Sequence, residues 1–439
     1  MFLTNLQKKA LDVELNLSDK IKSHGEVSRL SGLMIEAKGL HVPIGYICFI
    51  ESVYGKKIEL EVVGFNKEVT YLMPRESVEG ILPGSPVWSS GYPKRFPIGK
   101  GLLGRVVNGL GVPIDDLGEL ESVILKEEEV SLINPLSRKI IKDPLDVGVK
   151  AINTLLTIGL GQRIGLMAGS GVGKSVLLGM ISKYTSADII VVGLIGERGR
   201  EIKEFIEKNL GPVGLKKSCI VVSPADSPGL QRINATHYAT QIAEYFRDQD
   251  KNVLLVIDSL TRYAQSLREI ALSLGEVPAS RGYPPSVFTK IPALVERAGF
   301  SGKNQGSITA IYTVLAEGDD NQDPIVDSSR AILDGHIVLS RTLSENGHYP
   351  AIDIERSLSR CMQDIVSADH WKSALKIKQL YSRFQKYQEL IMIGAYSSGT
   401  DPILDEAILK MPIINDMLRQ GMLESFALAH SVKILKDIT

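Results

Sequence analysis

Apolar residues change their spacing several times along this chain, and each change predicts a different kind of element. In residues 1–25, Leu3, Leu6, Ala10, Val13, Leu17 and Ile21 recur every three or four positions, which lines up one face of a helix. That face either packs on the following domain or docks a partner. From Val27 to about Trp88 the runs Tyr46–Val53, Lys57–Phe65 and Glu68–Leu72 are rich in β-branched residues and are separated by Gly55-Lys56, Asn66-Lys67 and Leu82-Pro83-Gly84. Short β-prone runs between turn residues predict antiparallel strands in a small barrel, here over residues 26–92. Its expected role is to hold subunits in a ring and not to perform chemistry, and no aromatic stacking platform for nucleic acid is visible in it. Ser89–Ile98, with its Gly-Tyr-Pro-Lys run, reads as a linker.

Residues 93–362 alternate apolar runs with segments of helical period. Arg163–Ala168, Asp188–Gly196, Cys219–Pro224 and Asn252–Asp258 are candidate strands, and Ser175–Tyr184, Arg200–Leu210 and Leu230–Asp248 candidate helices. This predicts βαβ units, a parallel sheet, and a ligand site at the carboxyl ends of the strands, where Ala168, Gly196 and Asp258 should meet. Over residues 363–439 the helical period returns, with Ile377, Leu380, Phe384, Tyr387 and Ile391 on one face and a break at Gly394–Pro402. Further helices are expected near Leu404–Leu409, Ile413–Gln420 and Leu423–Lys436, making a helical domain.

Candidate chemistry concentrates at the strand ends. The loop Gly169, Ser170, Gly171, Val172, Gly173, followed by Lys174, Ser175 and Val176, has the makings of a phosphate cradle. Its glycines let backbone N–H groups turn inward, Lys174 can reach the β- and γ-phosphates, and the Ser175 hydroxyl can ligate magnesium. The strict motif asks for glycine where Ala168 stands, with Gly169 displaced by one. Asp258 ends an apolar strand and suits a magnesium-directing carboxylate, or an N-cap for the next helix. Glu197 is a candidate base for an attacking water, and Arg198 either offsets phosphate charge or orients Glu197. A solvated Glu–Arg pair is the bland alternative.

Composition narrows the class. A chain of 439 residues with 50 Lys+Arg against 51 Asp+Glu offers no bulk attraction to nucleic acid or anionic lipid. Cys48, Cys219 and Cys361 are far apart, which predicts buried thiols and neither a zinc site nor a disulfide framework. No apolar run approaches the roughly 18 residues of a membrane span, and no signal sequence is visible, so a cytoplasmic chain is expected.

Together the strings AGSGVGKS, GLIGERGRE, VIDSLTRYAQ, GYPPSVF, DGHIVLSR, GHYPAID and SLSRCM resemble the flagellar type III protein-export ATPases, relatives of the rotary ATP synthase catalytic subunit. The resemblance implies an α/β RecA-like P-loop ATPase core between an N-terminal β-barrel and a C-terminal helical domain, with ATP and Mg2+ bound by Lys174, Ser175, Glu197, Arg198 and Asp258 in the roles above. It implies that Tyr349 packs on adenine and that Arg360 is inserted into a neighbouring subunit's site, so that the working form is a homohexamer. The implied partners are an N-terminal regulator or stator-like protein, a central stalk, export cargo with its chaperones, and the export gate at the inner membrane, with no specific nucleic acid. A virulence injectisome ATPase, a rotary ATP synthase subunit and an RNA-translocating hexameric helicase share much of this pattern.

Overall fold

The computed structural model describes residues 24–76, 79–128, 134–302, 306–315 and 323–439. Residues 1–23, with the apolar face predicted there, lie outside the described residues. The chain divides into two compact units, the first ending at Arg95 and the second running from Phe96 to Thr439.

In the first unit six strands form a closed barrel: β1 His24–Ser31, β2 Met34–Lys38, β3 Tyr46–Glu51, β4 Lys57–Asn66, β5 Val69–Pro74 and β6 Pro86–Pro93, in the order β1-β2-β5-β4-β3-β6. Alternate residues of each strand point inward, so Ile58, Leu60 and Val62 meet Ile35, Ala37, Cys48, Ile50, Leu72 and Val87 in one core. The stretch expected to be a linker from Ser89 is instead the second half of β6. Ile50 pairs with Val87, Phe49 with Trp88 and Tyr46 with Pro93, and a register shift between Tyr46 and Cys48 takes up the extra residues around Gly91. The reason is tertiary: without β6 the edges of β1 and β3 would be left unpaired.

The second unit is built on one large sheet. Its path runs through β7 Val106–Asn108, β8 Arg163–Ala168, β9 Ile189–Ile195, β10 Ser218–Ser223, β11 Asn252–Asp258, β12 Ser307–Leu315, β13 Gly335–Leu339 and β14 Ile352–Ser359. The spatial order is β14-β13-β8-β12-β11-β9-β10-β7, parallel except for the antiparallel β13–β14 pair. Its central strands read as unbroken apolar runs because both faces are covered. On one face Ile190, Val192, Leu194, Leu254 and Val256 join the core of helix α1 (Lys174–Tyr184). On the other, Gly193 lets Ala239 of helix α2 (Gly229–Arg247) approach closely. Helix α3 (Leu260–Ser273) follows β11 directly.

Three C-terminal helices, α4 Ala368–Met392, α5 Pro402–Leu418 and α6 Leu428–Ile438, close the α1 face. Ile377, Leu380, Leu404, Met411, Ile414 and Leu435 lie in the same hydrophobic core as Ile152 and Leu178. Two helices expected over Leu404–Leu409 and Ile413–Gln420 are one, running through Pro412. Buried Met411 and Ile414 tie both sides of that proline to the core. α6 begins at Leu428, not Leu423, because the Asp146 carboxylate accepts from the Leu428 N–H at 2.7 Å and supplies the missing cap. Of the three thiols expected to be buried, Cys48 and Cys219 are, while Cys361 is partly exposed.

One close approach braces α1, the helix that starts after the 169–173 loop. A β-carbon added at Gly179 of α1 would lie 2.4 Å from Cβ and 3.2 Å from Cα of Asn209. Alanine gains about 1 kcal/mol of helix propensity at such a site. Overpacking against backbone costs about 1–3 kcal/mol, so Gly179→Ala should lower the melting temperature. A raised melting temperature in differential scanning fluorimetry would show that Asn209 moves aside freely.

Candidate active site

Strand β8 delivers the loop at residues 169–173 to the centre of the sheet. Ala168, in the slot where the motif wants glycine, is the last residue of the strand and pairs with Leu315. Its backbone is extended, so a side chain is tolerated there. The left-handed conformations fall later, at Gly171 (φ 78°) and Gly173 (φ 88°), where L-residues are disfavoured. Val172 is buried and anchors the loop in the core below it. The cradle is therefore held from beneath while its backbone stays free above.

Three charged groups converge at its mouth. The Lys174 Nζ donates to Glu197 Oε1 at 2.7 Å and to Asp258 Oδ1 at 2.5 Å, with side chains 11%, 14% and 3% exposed respectively. Each comes from a different strand end: Lys174 after β8, Glu197 after β9, Asp258 from β11. Burial pulls the Lys174 amine down, but the carboxylates of Asp258 and Glu197 more than reverse this and hold it above its ordinary value. Burial pushes the Asp258 carboxyl up, against the pull of Lys174 and with the charge of Glu197 adding to it. One cation facing two carboxylates, largely out of water at the ends of separate strands, is the kind of cluster found at functional sites.

Neighbouring backbone fixes this arrangement. Gly196 turns at φ 70°, and a β-carbon there would meet Arg262 Cγ at 2.8 Å. The Glu197 carbonyl accepts from Ala225 N at 3.1 Å. Ser259, not Asp258, caps α3 through its bond from Arg262 N, which leaves the Asp258 carboxylate to the site. The Thr313 hydroxyl donates to Asp258 Oδ1 at 2.6 Å. Nothing in the sequence marks Thr313, since a threonine in an apolar strand is an ordinary β-former.

The other candidates divide. Tyr349 lies against the loop: a β-carbon on Gly173 would stand 3.7 Å from its ring, while its hydroxyl bonds to Ser344 and the residue stays 48% exposed. Ser175 opens α1 beside Lys174, its carbonyl accepting from Asn209. Ser170 and Val176 are on the open side of the loop. Arg198 points outward, 83% exposed, and pairs with Glu201 at 3.6 Å, not with Glu197.

Arg360 stands at the far end of the sheet. β14 runs antiparallel to β13, so its last residue, Ser359, pairs with Gly335 at the start of β13, and His336 is level with Gly165. At about 3.3 Å per residue, the Arg360 end lies roughly 13 Å below the Ala168 end along the strands. Its guanidinium is exposed and donates to the Arg330 carbonyl.

A magnesium ion fits the oxygen donors present, the Ser175 hydroxyl and the Asp258 carboxylate, because Mg2+ takes one or two protein oxygens and completes its shell with phosphate and water. Among the described residues no group of three or more His, Cys, Asp or Glu side chains forms a separate all-protein metal site, and no helix is long and apolar enough to cross a membrane.

Comparison with known proteins agrees with this geometry. Residues 148–359 match the ATP synthase alpha/beta family, nucleotide-binding domain, and residues 366–437 match the T3SS EscN ATPase C-terminal domain. The flagellum-specific ATP synthase of Pseudomonas aeruginosa is 55% identical over 93% of this chain and 91% of its own length. That of Salmonella typhimurium is 53% identical over 94% and 93%. Among solved structures, the assembled ATPase EscN of the enteropathogenic E. coli type III secretion system superposes with a TM-score of 0.89 at 42% identity, covering 94% of this chain and 99% of that one. EscN in complex with its central stalk EscO gives 0.86 at 41%, with the same coverage. The phosphate loop, the carboxylates gathered on Lys174 and these matches along nearly the whole length make the chain a member of the flagellum-specific ATP synthase family, the type III protein-export ATPases.

Proposed function

We propose that the chain hydrolyses ATP at the mouth of the 169–173 loop, in a homohexameric ring at the cytoplasmic face of the inner membrane, to energise export of flagellar proteins. The observation that supports this most is the convergence of Lys174, Glu197 and Asp258 from three strand ends. In this reading the loop N–H groups and Lys174 bind the β- and γ-phosphates, and Tyr349 packs on adenine. Ser175 and Asp258 hold magnesium, which when bound neutralises phosphate charge. Glu197 orients and deprotonates the attacking water. Lys174 exchanges its carboxylate partners for phosphate oxygens as substrate enters, which frees Glu197 for that task. Arg198, exposed at the mouth of the site and paired with Glu201, offsets phosphate charge when substrate is bound.

Arg360 serves a neighbour in this scheme, since it sits at the opposite end of the sheet from its own loop. EscN was solved as an assembly and with a central stalk, and we extend both the ring and the stalk partner to this chain. A regulator at residues 1–25, the membrane export gate, and cargo with its chaperones complete the proposed set. The higher identity to flagellar relatives than to EscN, 55% against 42%, favours the flagellar apparatus over an injectisome.

Lys174→Ala should lose both turnover and most nucleotide affinity, measured by phosphate release and by binding of a fluorescent ATP analogue; near wild-type turnover would remove the site from this loop. Glu197→Gln should still bind the analogue while turnover falls by about 10²- to 10⁴-fold. Loss of binding instead would assign Glu197 a structural role. Wild-type activity per subunit should rise with protein concentration, and Arg360→Ala should lower the plateau by about 10³-fold or more. Activity that stays flat where sedimentation shows monomers, and is indifferent to Arg360, would refute completion by a second copy.

A further inference from the structure

Strand β12 lies between β8, which carries the phosphate loop, and β11, which ends at Asp258. Thr313 is level with Leu166 on the β8 side, and Tyr312 is level with Ile257 on the β11 side, so Thr313 stands beside Asp258. It is fully buried, as are its neighbours Tyr312 and Val314. Burying a hydroxyl in such surroundings costs free energy unless it is bonded, and valine would fill the same space without that cost.

The bond it makes is specific. Oγ1 lies 2.6 Å from Asp258 Oδ1, with only a long 3.4 Å contact to the Ile257 carbonyl competing. That is the length of a charge-assisted O–H···O⁻ bond. Lys174 donates to the same oxygen at 2.5 Å. The carboxylate torsion of an aspartate is soft, so these two donors set which way the group faces, and both leave Oδ2 alone. Only one of them is permanent. Lys174 is the group that phosphates recruit, whereas the Thr313 hydroxyl is fixed in the sheet between the two strands.

We propose that Thr313 is a positioning residue for Asp258: its hydroxyl holds Oδ1 so that the magnesium-directing carboxylate keeps its orientation while Lys174 is engaged with phosphate. This rests on the assignment of Asp258 to magnesium made above. It predicts a defect in metal use, not in nucleotide capture.

The test compares Thr313→Val, which keeps shape and removes the hydroxyl, with Thr313→Ser, which keeps the hydroxyl, and with Asp258→Asn. Turnover is titrated with Mg2+, and binding of a fluorescent ATP analogue is measured in EDTA and in Mg2+. Loss of such a supporting hydrogen bond typically costs about 10- to 100-fold in metal affinity or activity. Thr313→Val should therefore need about 10-fold more Mg2+ for half-maximal turnover, with binding in EDTA unchanged, and Thr313→Ser should recover most of the wild-type response. If Thr313→Val does not fold, Thr313→Ala carries the same test. An unchanged Mg2+ requirement in Thr313→Val alongside a large change in Asp258→Asn overturns this inference alone. An unchanged requirement in Asp258→Asn overturns the site assignment and this inference with it. Binding lost equally in EDTA and in Mg2+, or no recovery in Thr313→Ser, means that Thr313 only packs.

Discussion

The Lys174 ammonium sits between Glu197 and Asp258 at 2.7 and 2.5 Å, largely out of water, and much of the second unit keeps those three groups together. Removing one partner from a buried ion pair typically costs about 3–5 kcal/mol, so the arrangement demands rigid supports. They are present: β9 is buried throughout, β8 and β11 at every residue after the first, and the intervening β12 locks β8 to β11. A site whose charges are balanced mainly by one another can be reorganised by a single incoming polyanion. That follows from the coupling itself, because any phosphate that attracts the lysine releases two carboxylates at once.

The sequence made the central strands legible because their apolar runs are long and end in chemistry. Asp188–Gly196 and Asn252–Asp258 announce both the strand and the residue it presents, and Ile189–Ile195 and Asn252–Asp258 are the strands observed. The strand β6 was hidden, since Gly91 and Pro93 are local turn signals and only the pairing with β3 overrides them. Likewise Pro412 looks like a break until Met411 and Ile414 are seen to be buried on either side. At the site, Lys174, Glu197 and Asp258 could be picked out by position. Thr313 could not, because its bond to Asp258 exists only through the lateral register of two strands distant in sequence. Arg198 illustrates the converse: a charge beside a candidate base, yet directed at Glu201 on its own helix.

The C-terminal helices are joined to the site through few but buried contacts. Gln420, just after α5, accepts from Lys150 N, donates to the Gly148 and Glu424 carbonyls, and through its own N–H bonds the Tyr349 carbonyl at 2.9 Å. One backbone hydrogen bond thereby ties the residue after α5's last turn to the tyrosine whose ring lies against Gly173. α4 to α6 also share one hydrophobic core with α1, the helix that begins at the 169–173 loop.

The antiparallel turn of β14, which carries Arg360 away from its own loop, has an arithmetic consequence for assembly. If each copy lends its arginine to the next, an open string of n copies holds n − 1 complete sites, and only closing the string into a ring gives the last copy a donor. A defective arginine then silences the site next door and leaves its own intact, while a defective lysine silences its own and leaves the neighbour's intact. Two such cripples, mixed in one ring, complement each other wherever they meet in the right order and fail together where they meet in the reverse. If Arg360 completes a neighbour's site, the ring has a direction, set by which subunit depends on which.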